Sequence, residues 1–172
     1  MVIWLCGLSG SGKTTLGRLI FERVKPKVPN LVLLDGEDLR VALGNGLGHD
    51  QAARRRNSIR IANLCQLLDH QGIHVVCCAM TITAEAQATN RAHIRDYYEV
   101  LLDVSVEVLV GRDRKGIYRR ARAGQLANVC GVDIPYVPPT HPHLILDNNP
   151  PREDLTPLVD RILALAPLEH AL

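Results

Sequence analysis

Residues 2–15, VIWLCGLSGSGKTT, decide the fold of this chain. The five apolar residues Val2–Cys6 predict a strand that is buried on both faces of a parallel sheet. Residues 7–14 match the pattern G-x-x-x-x-G-K-[ST] in full, and apolar residues at helical spacing follow as far as Val24. A strand, a glycine-rich loop and a helix in this order predict a phosphate-binding loop at the start of an α/β domain.

The composition of the loop suits the binding of a nucleoside triphosphate. Its glycines let consecutive backbone N–H groups turn toward phosphate oxygens. The loop leads into a helix N-terminus, whose partial positive charge favours an anion. We expect Lys13 to contact the β- and γ-phosphates and the Thr14 hydroxyl to ligate Mg²⁺.

Strands and helices alternate through the rest of the sequence. The predicted strands cover residues 31–34, 73–79, 99–104 and 144–146, and the predicted helices cover 37–43, 50–70, 84–96, 106–112 and 153–165. On the helix at 50–70, the predicted apolar face consists of Ile59, Ala62, Leu64, Leu67 and Leu68. The alternation predicts a three-layer α/β P-loop NTPase fold with a parallel central sheet.

The length of 172 residues predicts a single domain over residues 1–172. Residues 112–142 are charged and rich in glycine and proline, which predicts a mobile lid over the site. Aromatic residues make up 3% of the chain, so the core is built from Leu, Val, Ile and Ala.

A formal net charge of +2 argues against partners such as nucleic acid polymers or membrane surfaces. Local clusters of arginine suit a small anionic ligand instead. No apolar run is long enough to span a membrane, so we expect a soluble, cytoplasmic protein. The five cysteines form no C-x-x-C pair, which predicts buried, reduced thiols.

A second acidic segment follows the predicted strand at 31–34. Asp35-Gly36-Glu37-Asp38-Leu39-Arg40 reaches the carboxyl edge of the sheet, where ligands bind in open α/β folds. A carboxylate there can hold Mg²⁺-bound water or accept the proton of an attacking hydroxyl. The alternative is that these acids only cap a helix.

Several motifs in this order resemble the adenylylsulfate kinase family, which phosphorylates the ribose 3′-hydroxyl of adenylyl sulfate. The resemblance covers residues 1 to 148 and is carried by GLSGSGKTT at 7–15, LDGE at 34–37 with Arg40, Arg54 with Asn57 and Arg60, RDRKGIYRRARAG at 112–124, GVD at 131–133 and Pro135-Tyr136. The segment after residue 112 is far more specific than a P-loop alone.

The resemblance implies an ATP- and Mg²⁺-dependent kinase that forms a homodimer. Lys13 and Asp35 would be catalytic, and Thr14 and Asp35 would bind Mg²⁺. The residues that would bind ATP are Gly7, Ser9, Gly10, Ser11, Gly12, Lys13, Thr14, Thr15 and, against the adenine, Arg112. The residues that would bind the acceptor nucleotide are Glu37, Arg40, His49, Arg54, Asn57, Lys115 and Val129. For Arg54 the alternative is a solvated helix face.

The sequence departs from the family around the acceptor base. The family has two Phe rings that sandwich the adenine, and this chain has His49 and Val129 in their places. The ISPYR segment is replaced by residues 80–84, and Glu37 and Val137 replace an Asp and a Glu. Three hypotheses therefore stay open: an adenylylsulfate kinase, a sister kinase for a cytidine diphosphate-type nucleotide such as cytidine diphosphoramidate, and a non-catalytic nucleotide-binding protein.

Overall fold

The computed structural model describes residues 1–44, 46–81, 83–149, 153–166 and 168. In these residues the strands are β1 Val2–Cys6, β2 Leu31–Asp35, β3 His74–Cys78, β4 Tyr97–Asp103 and β5 Leu144–Asp147. The helices are α1 Lys13–Val24, α2 Gly36–Ala42, α3 Gln51–His70, α4 Ala84–His93, α5 Val106–Gly111, α6 Ile117–Arg122 and α7 Thr156–Leu165. The predicted α/β class is confirmed.

The five strands form one parallel sheet in the order β2-β3-β1-β4-β5. Strand β1 is central and pairs with β3 on one side and β4 on the other. The chain thus adds β2 and β3 on one side of β1 before it adds β4 and β5 on the other, and such a change of side opens a crevice at the carboxyl ends of the strands. The loop after β1 and the residue that ends β2, Asp35, both lie at this edge.

Both faces of the sheet are apolar because side chains alternate along each strand. On one face, Ile3 and Leu5 pack with α1 and α7. On the other, Val2, Trp4 and Cys6 pack against α3. The five cysteines are buried and free, as predicted. No helix in the described ranges is long and apolar enough to cross a membrane.

The sequence predicted the bounds of β1 and α1 as the structure has them, but it placed the end of α4 wrongly. Helix α4 ends at His93 rather than at residue 96, because Ile94 adopts an extended conformation with φ −95° and ψ 118°. The chain then joins β4 at Tyr97, two residues before the predicted start. The backbone N–H of Val2 donates to the carbonyl of Asp96 and anchors this junction beside β1.

The predicted apolar face of α3 was wrong in part. Ile59 and Leu67 are 41% and 55% exposed. Most of the residues that α3 buries are small, and two are polar. They are Ala53, Ser58, Ile61, Ala62, Cys65 and Asp69. Small residues let the helix approach the sheet closely, and apolar spacing alone does not show which side of a helix makes that approach.

Residues 112–142, called the roof segment below, pack onto the domain through a third apolar cluster. Tyr118, Val129 and Ile134 from the roof segment meet Leu8 of the phosphate loop in this cluster. The Tyr118 hydroxyl also donates to the backbone carbonyl of Ser9 over 2.8 Å. The roof segment therefore has a small core of its own, and that core is built directly on the phosphate loop.

Candidate active site

The phosphate loop can form only with glycine at its key positions. Gly7, Gly10 and Gly12 have φ values of 141°, 79° and 104°, which L side chains rarely adopt. A Cβ at Gly7 would also lie 2.7 Å from the Leu102 carbonyl oxygen. The loop is thus held tightly between β1 and β4, in the conformation that the sequence pattern predicted.

The side chain of Lys13 folds back onto this loop. Its ammonium group donates to the carbonyl oxygens of Gly7 and Leu8 over 2.9 and 2.8 Å. Burial lowers the pKa of Lys13, and nearby groups that include Asp35 oppose that change. The ammonium group therefore loses hydration at the loop, and a bound phosphate would compensate for that loss.

Thr14 and Asp35 meet beside Lys13, although they are far apart in sequence. The Thr14 hydroxyl donates to Oδ2 of Asp35 over 2.6 Å. The other oxygen, Oδ1, accepts from the backbone N–H of Glu37 over 2.9 Å and caps α2. The capping interpretation and the functional one thus both apply to Asp35, because the cap aims the second oxygen at the phosphate loop.

This pair suits the binding of Mg²⁺. A hydroxyl and a carboxylate are hard oxygen donors, and Mg²⁺ is usually held by one or two carboxylates together with waters and substrate phosphates. In the part of the chain that the structure describes, no group of three or more His, Cys, Asp or Glu side chains could hold a metal. The donors present therefore fit an ion that arrives with the nucleotide.

The arginines predicted to bind the acceptor lie together, and in this structure they hold main-chain carbonyls. Arg40 donates to the carbonyls of Leu47 and Gly48 over 2.7 and 2.9 Å. Burial lowers the pKa of Arg40, and the neighbouring positive charge of Arg54 lowers it further. Two close cations at one edge of the sheet would attract an anionic acceptor.

Arg54 connects α3 to two separate loops. Its Nε donates to the carbonyl of His49 and an amino group donates to the carbonyl of Asn128, both over 2.7 Å. Asn128 has a left-handed backbone with φ 67°, and the next turn is held by the Asp133 carboxylate. Arg54 is therefore more than a residue of a solvated helix face.

The two positions where the family has aromatic rings differ sharply from each other. His49 is exposed, and partial burial together with Arg40 and Arg54 lowers the pKa of its imidazole. Val129 is only 6% exposed and packs in the third cluster with Leu8. One of the two positions thus has an exposed ring, while the other has a buried aliphatic side chain.

The structure places the remaining predicted residues on α3 and in the roof segment. Asn57 follows Arg54 by three residues on α3 and is half-buried. Lys115 of the roof segment forms an ion pair with Glu37 on α2, and both side chains are exposed. Arg112 donates to the carbonyls of Asn148 and Asn149, over 2.7 Å each. Of the segment 80–84, Ile82 lies outside the described residues.

Two residues at the phosphate loop were not predicted from the sequence. The Tyr118 hydroxyl donates to the Ser9 carbonyl, and the Asn148 side chain donates to the Ser11 carbonyl over 2.9 Å. Asn148 could have been suspected, because a polar residue directly after a strand of a parallel sheet lies at the edge where ligands bind. Tyr118 gave no such signal, since its contact depends on how the roof segment packs.

Fold and site together define a P-loop kinase, because the phosphate loop, the Thr14–Asp35 pair and the cationic mouth formed by Arg40 and Arg54 lie at one edge of a parallel sheet. The family model for adenylylsulphate kinase matches residues 1–147. The chain belongs to this family, whose members transfer a phosphoryl group from ATP to a hydroxyl.

Two curated relatives are equally similar over nearly the full length. Cytidine diphosphoramidate kinase of Campylobacter jejuni is 36% identical over 162 residues, 94% of each chain. The adenylyl-sulfate kinase of Gloeothece citriformis is 36% identical over 163 residues, covering 95% of this chain and 92% of the relative. Identity alone therefore does not separate the two acceptor hypotheses.

A solved structure supports the fold assignment. The APS kinase CysC of Mycobacterium tuberculosis, determined in complex with AMPPNP and APS, superimposes with a TM-score of 0.85. It is 32% identical, and the match covers 95% of both chains.

Proposed function

We propose that this protein transfers the γ-phosphoryl group of ATP to the ribose 3′-hydroxyl of adenylyl sulfate, with Mg²⁺ as the metal. The observation that carries the proposal is the Thr14–Asp35 contact of 2.6 Å beside an intact phosphate loop. The similarity to adenylyl-sulfate kinases supports the choice of acceptor.

The residues of the chain have distinct roles in this reaction. The loop amides and Lys13 bind the phosphates, and Lys13 stabilises the charge that develops during transfer. Asp35 accepts the proton of the attacking hydroxyl, directly or through water, and the α2 cap holds its carboxylate in place. Bound Mg²⁺ would supply charge neutralisation at the phosphates, with Thr14 and Asp35 as its protein-side ligands.

The cationic mouth holds the acceptor, and the roof segment closes over both substrates. Arg40, Arg54 and Asn57 face the anionic part of the acceptor, while Arg112 supports the adenine of ATP. Lys115 would leave Glu37 as the lid closes and reach toward the phosphates. Closure excludes water that would otherwise hydrolyse ATP.

A second acceptor, a cytidine diphosphate-type nucleotide, is favoured by one specific observation. Val129 is buried in the third cluster, so of the two positions where the family has rings only His49 still has one. Losing a stacking partner forfeits about 1–3 kcal/mol, and a pyrimidine has less surface to stack than a purine. The similarity to the Campylobacter jejuni cytidine diphosphoramidate kinase is consistent with this alternative.

The test is ADP production from ATP and Mg²⁺, with adenylyl sulfate and cytidine diphosphoramidate supplied in parallel. Asp35→Ala should abolish turnover, whereas Asp38→Asn, at an exposed carboxylate of the same helix, should leave it intact. Turnover with adenylyl sulfate supports the proposal. Turnover with the cytidine nucleotide alone establishes the second acceptor, and ATP binding without turnover on either leaves the non-catalytic alternative.

We further propose that the protein is a cytoplasmic homodimer. Five buried, free thiols are typical of a reducing compartment. The homodimer follows from the family resemblance. Sedimentation velocity should give a species of twice the 19.0 kDa chain mass, and a species of 19.0 kDa would contradict it.

A further inference from the structure

The turn after β5 connects two parts of the nucleotide site that are far apart in sequence. Asn148 is 6% exposed, and its side-chain amide donates to the Ser11 carbonyl inside the phosphate loop. The backbone N–H of Asn148 donates to the Asp103 carbonyl over 3.1 Å. The backbone hydrogen bond to Asp103 thus fixes Asn148 in the orientation that directs its side chain at the phosphate loop.

The Asn148 contact determines how one peptide of the loop is oriented. In a trans peptide the carbonyl and the following N–H point in opposite directions. Because the Ser11 carbonyl points at Asn148, the Gly12 N–H points away from it, into the loop. The approach is close, since a Cβ at Gly12 would lie 2.8 Å from the Asn148 amide nitrogen. A rotated peptide would lose the hydrogen bond and remove one phosphate donor.

The backbone of the same turn fixes the arginine predicted to lie against the adenine. The carbonyls of Asn148 and Asn149 accept two hydrogen bonds from the Arg112 guanidinium, which sets the plane of that group. The Asn149 side chain also accepts from the backbone N–H of Ser105, the residue that caps α5. Helix α5, which carries Arg112 at its end, is therefore joined to the phosphate loop through this turn.

We propose that Asn148 is a positioning residue for ATP, which couples the phosphate loop to Arg112 so that both are preorganised. The proposal rests on the proposed ATP binding and adds a residue to it. It concerns the affinity for ATP only, because none of these contacts reaches the acceptor mouth formed by Arg40 and Arg54.

The test compares Asn148→Ala and Asn148→Asp with wild type by calorimetric titration of AMPPNP and of inorganic triphosphate. The carboxylate of Asn148→Asp would place an acceptor against the Ser11 carbonyl, so it should weaken AMPPNP binding by about 10- to 100-fold, and Asn148→Ala by about 3- to 10-fold. Both variants should also bind inorganic triphosphate more weakly than wild type, since the phosphate loop itself is affected. The KM for ATP should rise in parallel, while the KM for the acceptor stays within about twofold.

Asn90→Ala is the matched control, because Asn90 is similarly buried and donates to the Tyr97 hydroxyl away from the loop. It should lower the Tm and leave AMPPNP affinity at the wild-type value. Wild-type affinity in a folded Asn148→Ala variant would overturn this proposal alone. If wild type itself did not bind AMPPNP, the proposed function would fail, and this inference with it. Should Asn148→Asp not fold, Asn148→Ala decides the matter by the same criteria.

Discussion

At the scale of single residues, Gly17 shows how closely α1 packs on the sheet beneath the phosphate loop. A Cβ at this position would lie 2.2 Å from the Cys78 sulfur and 3.2 Å from a methyl group of Leu33. Cys78 in turn donates to the Lys13 carbonyl over 3.3 Å. The position of the start of α1, and with it of Lys13, therefore depends on a contact that only glycine permits.

We expect Gly17→Ala to destabilise the protein by about 1–3 kcal/mol through overpacking. Cys78→Ala should remove the obstructing sulfur, so the double variant should be more stable than additivity of the two single changes predicts. Urea unfolding of the four proteins measures the coupling. Strictly additive effects would mean that the helix avoids the contact by shifting.

His49 provides a prediction about pH. Partial burial and the charges of Arg40 and Arg54 lower its pKa, so the folded protein favours the neutral imidazole. Because the folded-state pKa is lowered, the associated stability is present above the unfolded-state pKa of about 6.5 and is lost as the pH falls through the folded value. An anionic acceptor would offset the two arginines, raise this pKa and bind more tightly as the pH decreases.

An NMR titration of the imidazole signals should place the pKa of His49 below its ordinary value, and Arg40→Gln should raise it. His93 on α4, outside this cluster, serves as the internal reference. A His49 pKa that does not change on removal of Arg40 would show that the two groups do not interact.

Sequence patterns predicted the residues of the phosphate loop well and the contacts of the arginines poorly. Lys13, Thr14 and Asp35 come from local motifs, and the structure brings them together. The partners of Arg54 are carbonyls at His49 and Asn128, and every residue has a carbonyl. No side-chain pattern distinguishes the carbonyls that a folded loop will present.

At the scale of elements, Arg54 connects α3 to the two loops that contain His49 and Asn128. We expect Arg54→Gln to raise the KM for the acceptor by about 10-fold or more, because both loops lose a charge-assisted hydrogen bond. Arg54→Lys should recover little, since one ammonium group cannot reproduce a fork that spans two loops.

Steady-state kinetics with each substrate varied in turn would measure this effect. The KM for ATP should stay near the wild-type value, and Arg56→Gln, at an exposed arginine of the same helix, should change neither KM. An increase in the KM for ATP alone would contradict the role given to Arg54.

The helices and strands themselves followed from the sequence where local signals were strong. Strand β1 and helix α1 agree with prediction because an apolar run, glycines and a helical pattern adjoin there. Helix α3 was placed correctly, but its buried side was not, since Ile59 and Leu67 are exposed where Ser58 and Asp69 are buried. Tertiary packing overrides apolar spacing when a helix approaches the sheet through small and hydrogen-bonded residues.

At the scale of the whole molecule, the roof segment has fewer anchors than the sheet. Its apolar cluster is small, and its ion pair to α2, between Lys115 and Glu37, is exposed. Segments with few buried contacts open more readily than the core. We therefore expect amide hydrogen exchange over residues 112–142 to be faster than in β1 and β4.

Adding AMPPNP and acceptor together should slow exchange in the roof segment, if it closes as a lid. Helix α7, which packs in a different apolar cluster from the roof segment, provides the comparison and should not change. Equal exchange with and without ligands would indicate that the roof segment does not close over the substrates.

The burial of all five thiols has a practical consequence for such measurements. Burial raises the pKa of Cys78 to about 12 and raises the pKa values of Cys77 and Cys130 as well, so these thiols remain protonated and unreactive at neutral pH. A thiol-reactive spin label would then attach only to the cysteines introduced by Arg120→Cys on α6 and Glu22→Cys on α1, which are exposed positions. Distances between the roof segment and α1 could be followed by pulsed electron paramagnetic resonance without first removing a native cysteine.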